Sequence, residues 1–69
     1  MTNTELFLQK LKISGINQKE LASAIGLSRQ SLSYKVNNKR EFVPSEINKI
    51  CDILGISDLE ERQAIFFAA

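Results

Sequence analysis

The stretch Asn17-Gln18-Lys19-Glu20-Leu21-Ala22-Ser23-Ala24-Ile25-Gly26-Leu27-Ser28-Arg29-Gln30-Ser31-Leu32-Ser33-Tyr34-Lys35-Val36-Asn37-Asn38 decides how this chain folds. Leu21 and Ile25 lie four apart, with small Ala22 beside them, and Leu32 and Val36 repeat that spacing. Four-residue spacing of apolar side chains puts them on one face of a helix. Asn17 and Glu20 have the spacing of a capping box, in which each side chain satisfies a free backbone N–H of the first turn. Gly26 tolerates a left-handed stop, and Ser28 can cap a new start. The pattern predicts one short helix from Asn17 to Gly26 and another from Ser28 to about Val36. Helices this short are marginal alone and must lean on neighbours. On an ideal wheel Leu32 and Val36 lie about 40° apart. Arg29, Gln30, Ser33, Tyr34 and Asn37 spread over roughly 140° facing the other way. The second helix thus has one narrow apolar seam and a broad polar face.

The flanks read as helix as well. Thr2 and Glu5 have capping-box spacing, which predicts a first helix from about Asn3 to Ser14, ended by Gly15. Phe7 and Leu11 share its inner face with Leu8 beside them; Leu6 and Ile13 fit that face less well. A polar stretch, Asn37 to Glu41, precedes Phe42. Pro44 suits a first helical position, where its missing N–H costs nothing. Ile47, Ile50 and Leu54 mark the inner face of that fourth helix, with Cys51 flanking and Gly55 as its stop. Ser57 and Glu60 form a third box, opening a helix that carries Leu59, Ala64, Ile65, Phe66 and Phe67. Alternating period-2 runs are absent, so strands are not expected. The expectation is one all-α domain spanning residues 1–69.

Bulk properties exclude several classes of function. A chain of 69 residues buries only about 60% of its unfolded surface, so its core supplies roughly 3–5 kcal/mol of net stability. That leaves no room for a deep catalytic cavity with a lid. Histidine is absent and cysteine occurs once, at Cys51. No His-based metal site, catalytic triad or internal disulfide can form, and no Gly-rich phosphate loop is present. The chain is expected to be neither an enzyme nor a cofactor binder, and no small-molecule ligand is expected. No run approaches the roughly 18 apolar residues of a membrane span. The polar start after Met1 lacks a signal-peptide pattern. A cytoplasmic location is expected, with Cys51 an inert small hydrophobe. The net charge is only +1, but it is unevenly spread. Residues 1–40 hold seven Lys/Arg against two acids, and residues 41–69 hold two against six. One end can face phosphates while the other faces away.

Two capped helices joined by Ile25-Gly26-Leu27-Ser28 match a helix-turn-helix, in which helices at roughly 90–120° are joined by a turn of 3–4 residues. Leu27 can drop into the core at the corner, and Ala22 permits close approach. Gln18-x-Glu20-Leu21-Ala22-x-x-Ile25-Gly26-Leu27-Ser28-x-x-x-Leu32-Ser33 resembles the Cro/repressor (XRE-type) helix-turn-helix signature. The stretch from Phe42 to Phe67, with Ser45-Glu46-Ile47 and Glu60-Glu61-Arg62-Gln63-Ala64-Ile65-Phe66-Phe67, is similar to small Cro-like regulators of phages and prophages. The resemblance implies a compact five-helix, lambda-repressor-like domain acting as a dimer on palindromic double-stranded DNA. It departs at Asn38, where many relatives carry Gly; Asn is the next most tolerant residue in a left-handed cap.

The resemblance also implies a set of DNA-binding residues. Gln18 matches a phosphate-touching position at a helix N-terminus, which attracts anions. Ser28, Arg29, Gln30, Ser33 and Tyr34 match the start and the base-facing side of the recognition helix. Arg29 can pair with O6 and N7 of guanine, and Gln30 with N6 and N7 of adenine. Tyr34 can donate to a phosphate or pack on a thymine methyl. Asn37, Lys39 and Arg40 match backbone contacts, which position a protein without reading sequence. Phe66 and Phe67 cannot share one direction, since helix neighbours point about 100° apart. One should be exposed near Ile65, which predicts dimerisation through Ile65, Phe66 and Phe67. The function expected is operator binding by a transcriptional regulator. The alternative is the same scaffold used as an antirepressor-like module that binds another regulator; the basic residues 1–40 weigh against it. The DNA-binding head of a longer regulator is the less favoured third reading.

Overall fold

None of the helices is long enough to stand alone. A computed structural model, which describes all residues 1–69, contains α1 (Thr4–Ser14), α2 (Gln18–Ile25), α3 (Arg29–Val36), α4 (Pro44–Leu54) and α5 (Leu59–Phe66), and no strand. Three of them have eight residues and two have eleven. Shared burial therefore stabilises them. α2 packs on α3 and α4, and α1 packs on α4 and α5. Phe7, Leu21, Leu32, Val36 and Ile50 are the largest side chains fully removed from water. The five-helix, all-α expectation holds. No helix is long and apolar enough to cross a membrane.

A stacked and edge-on aromatic group joins the two ends of the chain to its middle. Phe7 of α1 stacks on Phe42 with centroids 5.9 Å apart. Phe66 of α5 meets both rings edge-on, at 6.0 and 5.6 Å. These separations and angles are the favoured ones for aromatic pairs. Phe42 thereby anchors the loop after α3 to the core. Phe66 and Ile65 are consequently interior residues, only 4% and 3% exposed, while Phe67 is 59% exposed. The expected dimer surface of Ile65, Phe66 and Phe67 is thus corrected: two of its three side chains are already used within the monomer. Leu8 is corrected too, because the seam of α1 is narrow and the side chain next to Phe7 points outward. Leu6 and Ile13 lie outside the core as well. Cys51 is buried, and burial pushes its thiol pKa up, although the Arg62 charge opposes the shift.

Two helix starts differ from expectation by one residue. α1 is capped by Asn3, whose Oδ1 accepts the Leu6 N–H at 3.0 Å. Thr2 is instead drawn inward, because its backbone is wanted elsewhere. The Thr2 N–H donates to Asn38 Oδ1 at 2.7 Å, and Asn38 Nδ2 donates to the Thr2 carbonyl at 2.8 Å. α5 is capped by Asp58 rather than Ser57. Both residues can cap, and burial of Ile56 immediately after Gly55 carries the chain one residue further before it turns. The chain ends also pair: the Asn3 N–H donates to the Ile65 carbonyl at 2.7 Å, and the Ala68 N–H to the Met1 carbonyl at 2.9 Å.

Asn38 is the one non-glycine residue with positive φ, at 63°. Backbone freedom alone suggests that glycine would suit this position as well or better. The two hydrogen bonds to Thr2 reverse that expectation. Asn38→Gly should lower stability by about 1 kcal/mol, the net worth of the lost pair after backbone relief. In a domain this size that is a fall of roughly 4–8 °C in Tm. A calorimetric or circular-dichroism melt reads it, and an unchanged or raised Tm would contradict the clamp.

Candidate nucleic-acid interface

The turn between α2 and α3 is closed by backbone geometry that glycine permits. Gly26 sits at φ 80°, the left-handed region. Its N–H donates to the Ser23 carbonyl at 3.3 Å, and the Leu27 N–H to the Ala22 carbonyl at 2.8 Å. This double return is a Schellman stop, and it points the chain away from α2 at once. Leu27 packs against the core at the corner. Ser28 then caps α3, its Oγ accepting the Ser31 N–H and donating to Ser31 Oγ, both at 3.0 Å. The Ser28 hydroxyl is thus committed to starting the helix.

Only Leu32 and Val36 of α3 are buried. Arg29 and Gln30 are exposed, and Ser33 and Tyr34 half-buried, so these four expected base-facing residues share the outward side. Gln18, first residue of α2, is half-buried, and its neighbour Asn17 completes the expected box with Glu20. Lys39 and Arg40 follow the helix and fold back over Tyr34. Their charged groups lie 5.5 and 5.6 Å from its ring centroid, within cation–π range. Asn37 is exposed and folds back on its own helix, Nδ2 donating to the Ser33 carbonyl at 2.8 Å.

The C-terminal end of α3 is tied down by Asn38, the left-handed cap expected there, and by bonds from Thr4 and Lys35 that the sequence pattern did not reveal. The Asn38 N–H donates to the Lys35 carbonyl and the Lys39 N–H to the Tyr34 carbonyl, a second Schellman stop with Asn in the glycine position. Thr4 Oγ1 donates to the Val36 carbonyl at 2.6 Å. Lys35 Nζ donates to both oxygens of Glu46 on α4, at 2.6 and 2.7 Å, and both side chains are 12% exposed. Glu46 Oε1 also accepts the Val43 N–H at 3.0 Å, standing in for the cap that Val43 cannot provide. Burial pushes the Glu46 carboxyl up, but the Lys35 hydrogen bond, the Val43 N–H and the charges of Lys35 and Lys49 outweigh it. Its net pKa lies below the ordinary 4.5. Nothing in spacing predicts a pair eleven residues apart across a loop.

These ties redraw the charge map. Lys35 and Lys10 are neutralised by Glu46 and Glu61 from the acidic half. Arg29, Lys39 and Arg40 make no ion pair with the protein. The unpaired cations beside the outward face of α3 are therefore available to an external anion.

Comparison with family models matches residues 8–63 to the Cro/C1-type HTH DNA-binding domain. No curated protein and no solved structure matches the chain.

The Lys35–Glu46 pair sets a pH dependence. A carboxyl whose folded pKa lies below its unfolded value stabilises the fold above the unfolded pKa and loses that contribution as pH falls through the folded one. Stability should hold from neutrality to about pH 5 and then decline in acid. Glu46→Gln should cost about 1–3 kcal/mol at pH 7 and flatten the decline. Urea melts across pH 3–7 measure this; an equal acid slope in both proteins would show that the pair does not carry it.

Proposed function

The chain belongs to the Cro/C1-type helix-turn-helix DNA-binding family, and from that premise we propose that it regulates transcription by occupying an operator with α3 in a major groove. One observation carries this reading. α3 keeps two buried side chains and turns Arg29, Gln30, Ser33 and Tyr34 outward, with Lys39 and Arg40 beside them and unpaired. A protruding helix of this width fits the groove, and its N-terminal residues are the ones that reach base edges.

Roles follow from chemistry. Arg29 is the candidate for bidentate pairing with guanine and Gln30 for adenine. Ser33 and Tyr34 extend the contact along the helix. Gln18 sits at the start of α2 and Ser28 at the start of α3, where backbone N–H groups and the helix dipole favour phosphate. Lys39 and Arg40 add phosphate contacts that fix register, with Asn37 holding the turn that presents them. Two copies on one face of the duplex would place their α3 helices about 34 Å apart. Of the apolar trio at the end of α5 only Phe67 remains exposed to join such copies. Occupation of the site blocks polymerase or a competing regulator. The setting is the cytoplasm of a bacterial host, and a phage or prophage origin fits the small Cro-like pattern.

With about six phosphate contacts per complex, log K should fall with log salt at a slope of about −5. Arg29→Ala should cost about 1–3 kcal/mol and relax choice at one base position. Lys39→Ala should weaken all sequences alike and lower the salt slope by about 1. Gel shifts on selected duplexes at several salt concentrations distinguish these. Arg29→Ala binding every sequence as the parent does would remove Arg29 from its role.

A further inference from the structure

Gln30 and Tyr34 lie one turn apart on the outward face of α3, and they are coupled. Gln30 Nε2 donates to the Tyr34 hydroxyl oxygen at 2.9 Å. The two ends of a carboxamide have nearly the same shape but opposite hydrogen-bonding character. A hydroxyl partner can pair with either end, so it fixes where the carboxamide lies along the helix. With one N–H given to Tyr34, Gln30 retains a second N–H and its carbonyl oxygen. That remaining donor–acceptor edge is the one that complements N7 and N6 of adenine.

Tyr34 is itself held. Lys39 and Arg40 stand over its ring at 5.5 and 5.6 Å, and the backbone of Lys39 is bound to the Tyr34 carbonyl at 2.8 Å. The hydroxyl accepts from Gln30 and keeps its own hydrogen to donate. Loop cations, ring and carboxamide form one connected unit ahead of any ligand. Ordering a flexible side chain in advance removes that cost from binding.

We infer that Tyr34 is a positioning residue for base readout: its hydroxyl holds the Gln30 carboxamide in place on the outward face, and so strengthens the contact of Gln30 with adenine. Without it the carboxamide swings free and has to be ordered at the moment of binding, which weakens its preference for adenine. The inference rests on the operator-binding reading above. It separates two functions of one side chain: the ring gathers Lys39 and Arg40, and the hydroxyl governs Gln30.

Tyr34→Phe tests this cleanly, since it keeps the ring and removes only the hydroxyl. Wild type, Tyr34→Phe, Gln30→Ala and the double variant are each used to select from a random double-stranded DNA pool, with thermal melts to show that each is folded. The expected result is a wild-type site with one adenine preference that Gln30→Ala abolishes. Tyr34→Phe should reduce that same preference about five- to tenfold, the worth of one net hydrogen bond. Other positions and the salt slope should stay unchanged, and the double variant should be no worse than Gln30→Ala. If Tyr34→Phe weakens all sequences equally, or adds fully to Gln30→Ala, the hydroxyl acts on its own and the inference fails. A Gln30-independent site would also overturn it while sparing operator binding. A wild type that selects no sequence would bring down both.

Discussion

An eight-residue helix with two buried side chains cannot hold its own angle. Leu32 and Val36 give α3 a narrow seam, about which the helix could roll or tilt. Everything else in the account depends on its being held from the ends. At the start, the Gly26 turn and the Ser28 cap fix where α3 begins. At the finish, five hydrogen bonds converge: Asn38 with both backbone groups of Thr2, Thr4 to the last carbonyl of the helix, and Lys35 to both oxygens of Glu46. These partners come from the chain start and from α4. The domain uses polar ties where a larger protein would use buried area. That suits a helix whose other side must stay available.

The same ties explain why the basic surface is smaller than the sequence implies. Two lysines of the basic half are spent on structure, pairing with Glu46 and Glu61. Five cations of that half are left over: Lys12 on α1, Lys19 on α2, and Arg29, Lys39 and Arg40 on α3 and the turn beyond it. Lys39 and Arg40 are not loose either, because Phe42 pins their loop to Phe7 and Phe66 and Tyr34 lies beneath them. Charge sorting and core packing thus act together: the aromatic group that closes the core also sets where the positive charge stands.

Much of this was legible in the chain itself. The helices are bounded by local chemistry: glycines at 15, 26 and 55, the Asn17–Glu20 box, Ser28 and Pro44. Such signals act within four residues, so a single sequence reveals them. The outward placement of Arg29, Gln30, Ser33 and Tyr34 followed from the wheel, since Leu32 and Val36 left no other direction. What escaped was non-local. Asn38 was readable as a left-handed cap, but its grip on Thr2 spans thirty-six residues. Lys35 counted only as one of the seven Lys/Arg of residues 1–40, and the α4 carboxylate of Glu46 that it meets lies eleven residues away. Ile65 and Phe66 looked like a partner surface because local pattern cannot show that Phe7 and Phe42 meet Phe66 and that Ile65 is buried beside it. Thr2 and Ser57 were competent caps, the one displaced by the bonds of its backbone to Asn38 and the other by burial of Ile56.

The central claim is that the outward side of α3, with the turn to Arg40, is the surface that meets DNA. Backbone amide chemical shifts of the ¹⁵N-labelled protein, followed during titration with duplex DNA, test it most directly. The account predicts perturbations gathered at the start of α2, along α3 and through residues 37–40, with the far side of α1 and the body of α5 unmoved. Perturbations centred on α1 and α5 with α3 silent would contradict it.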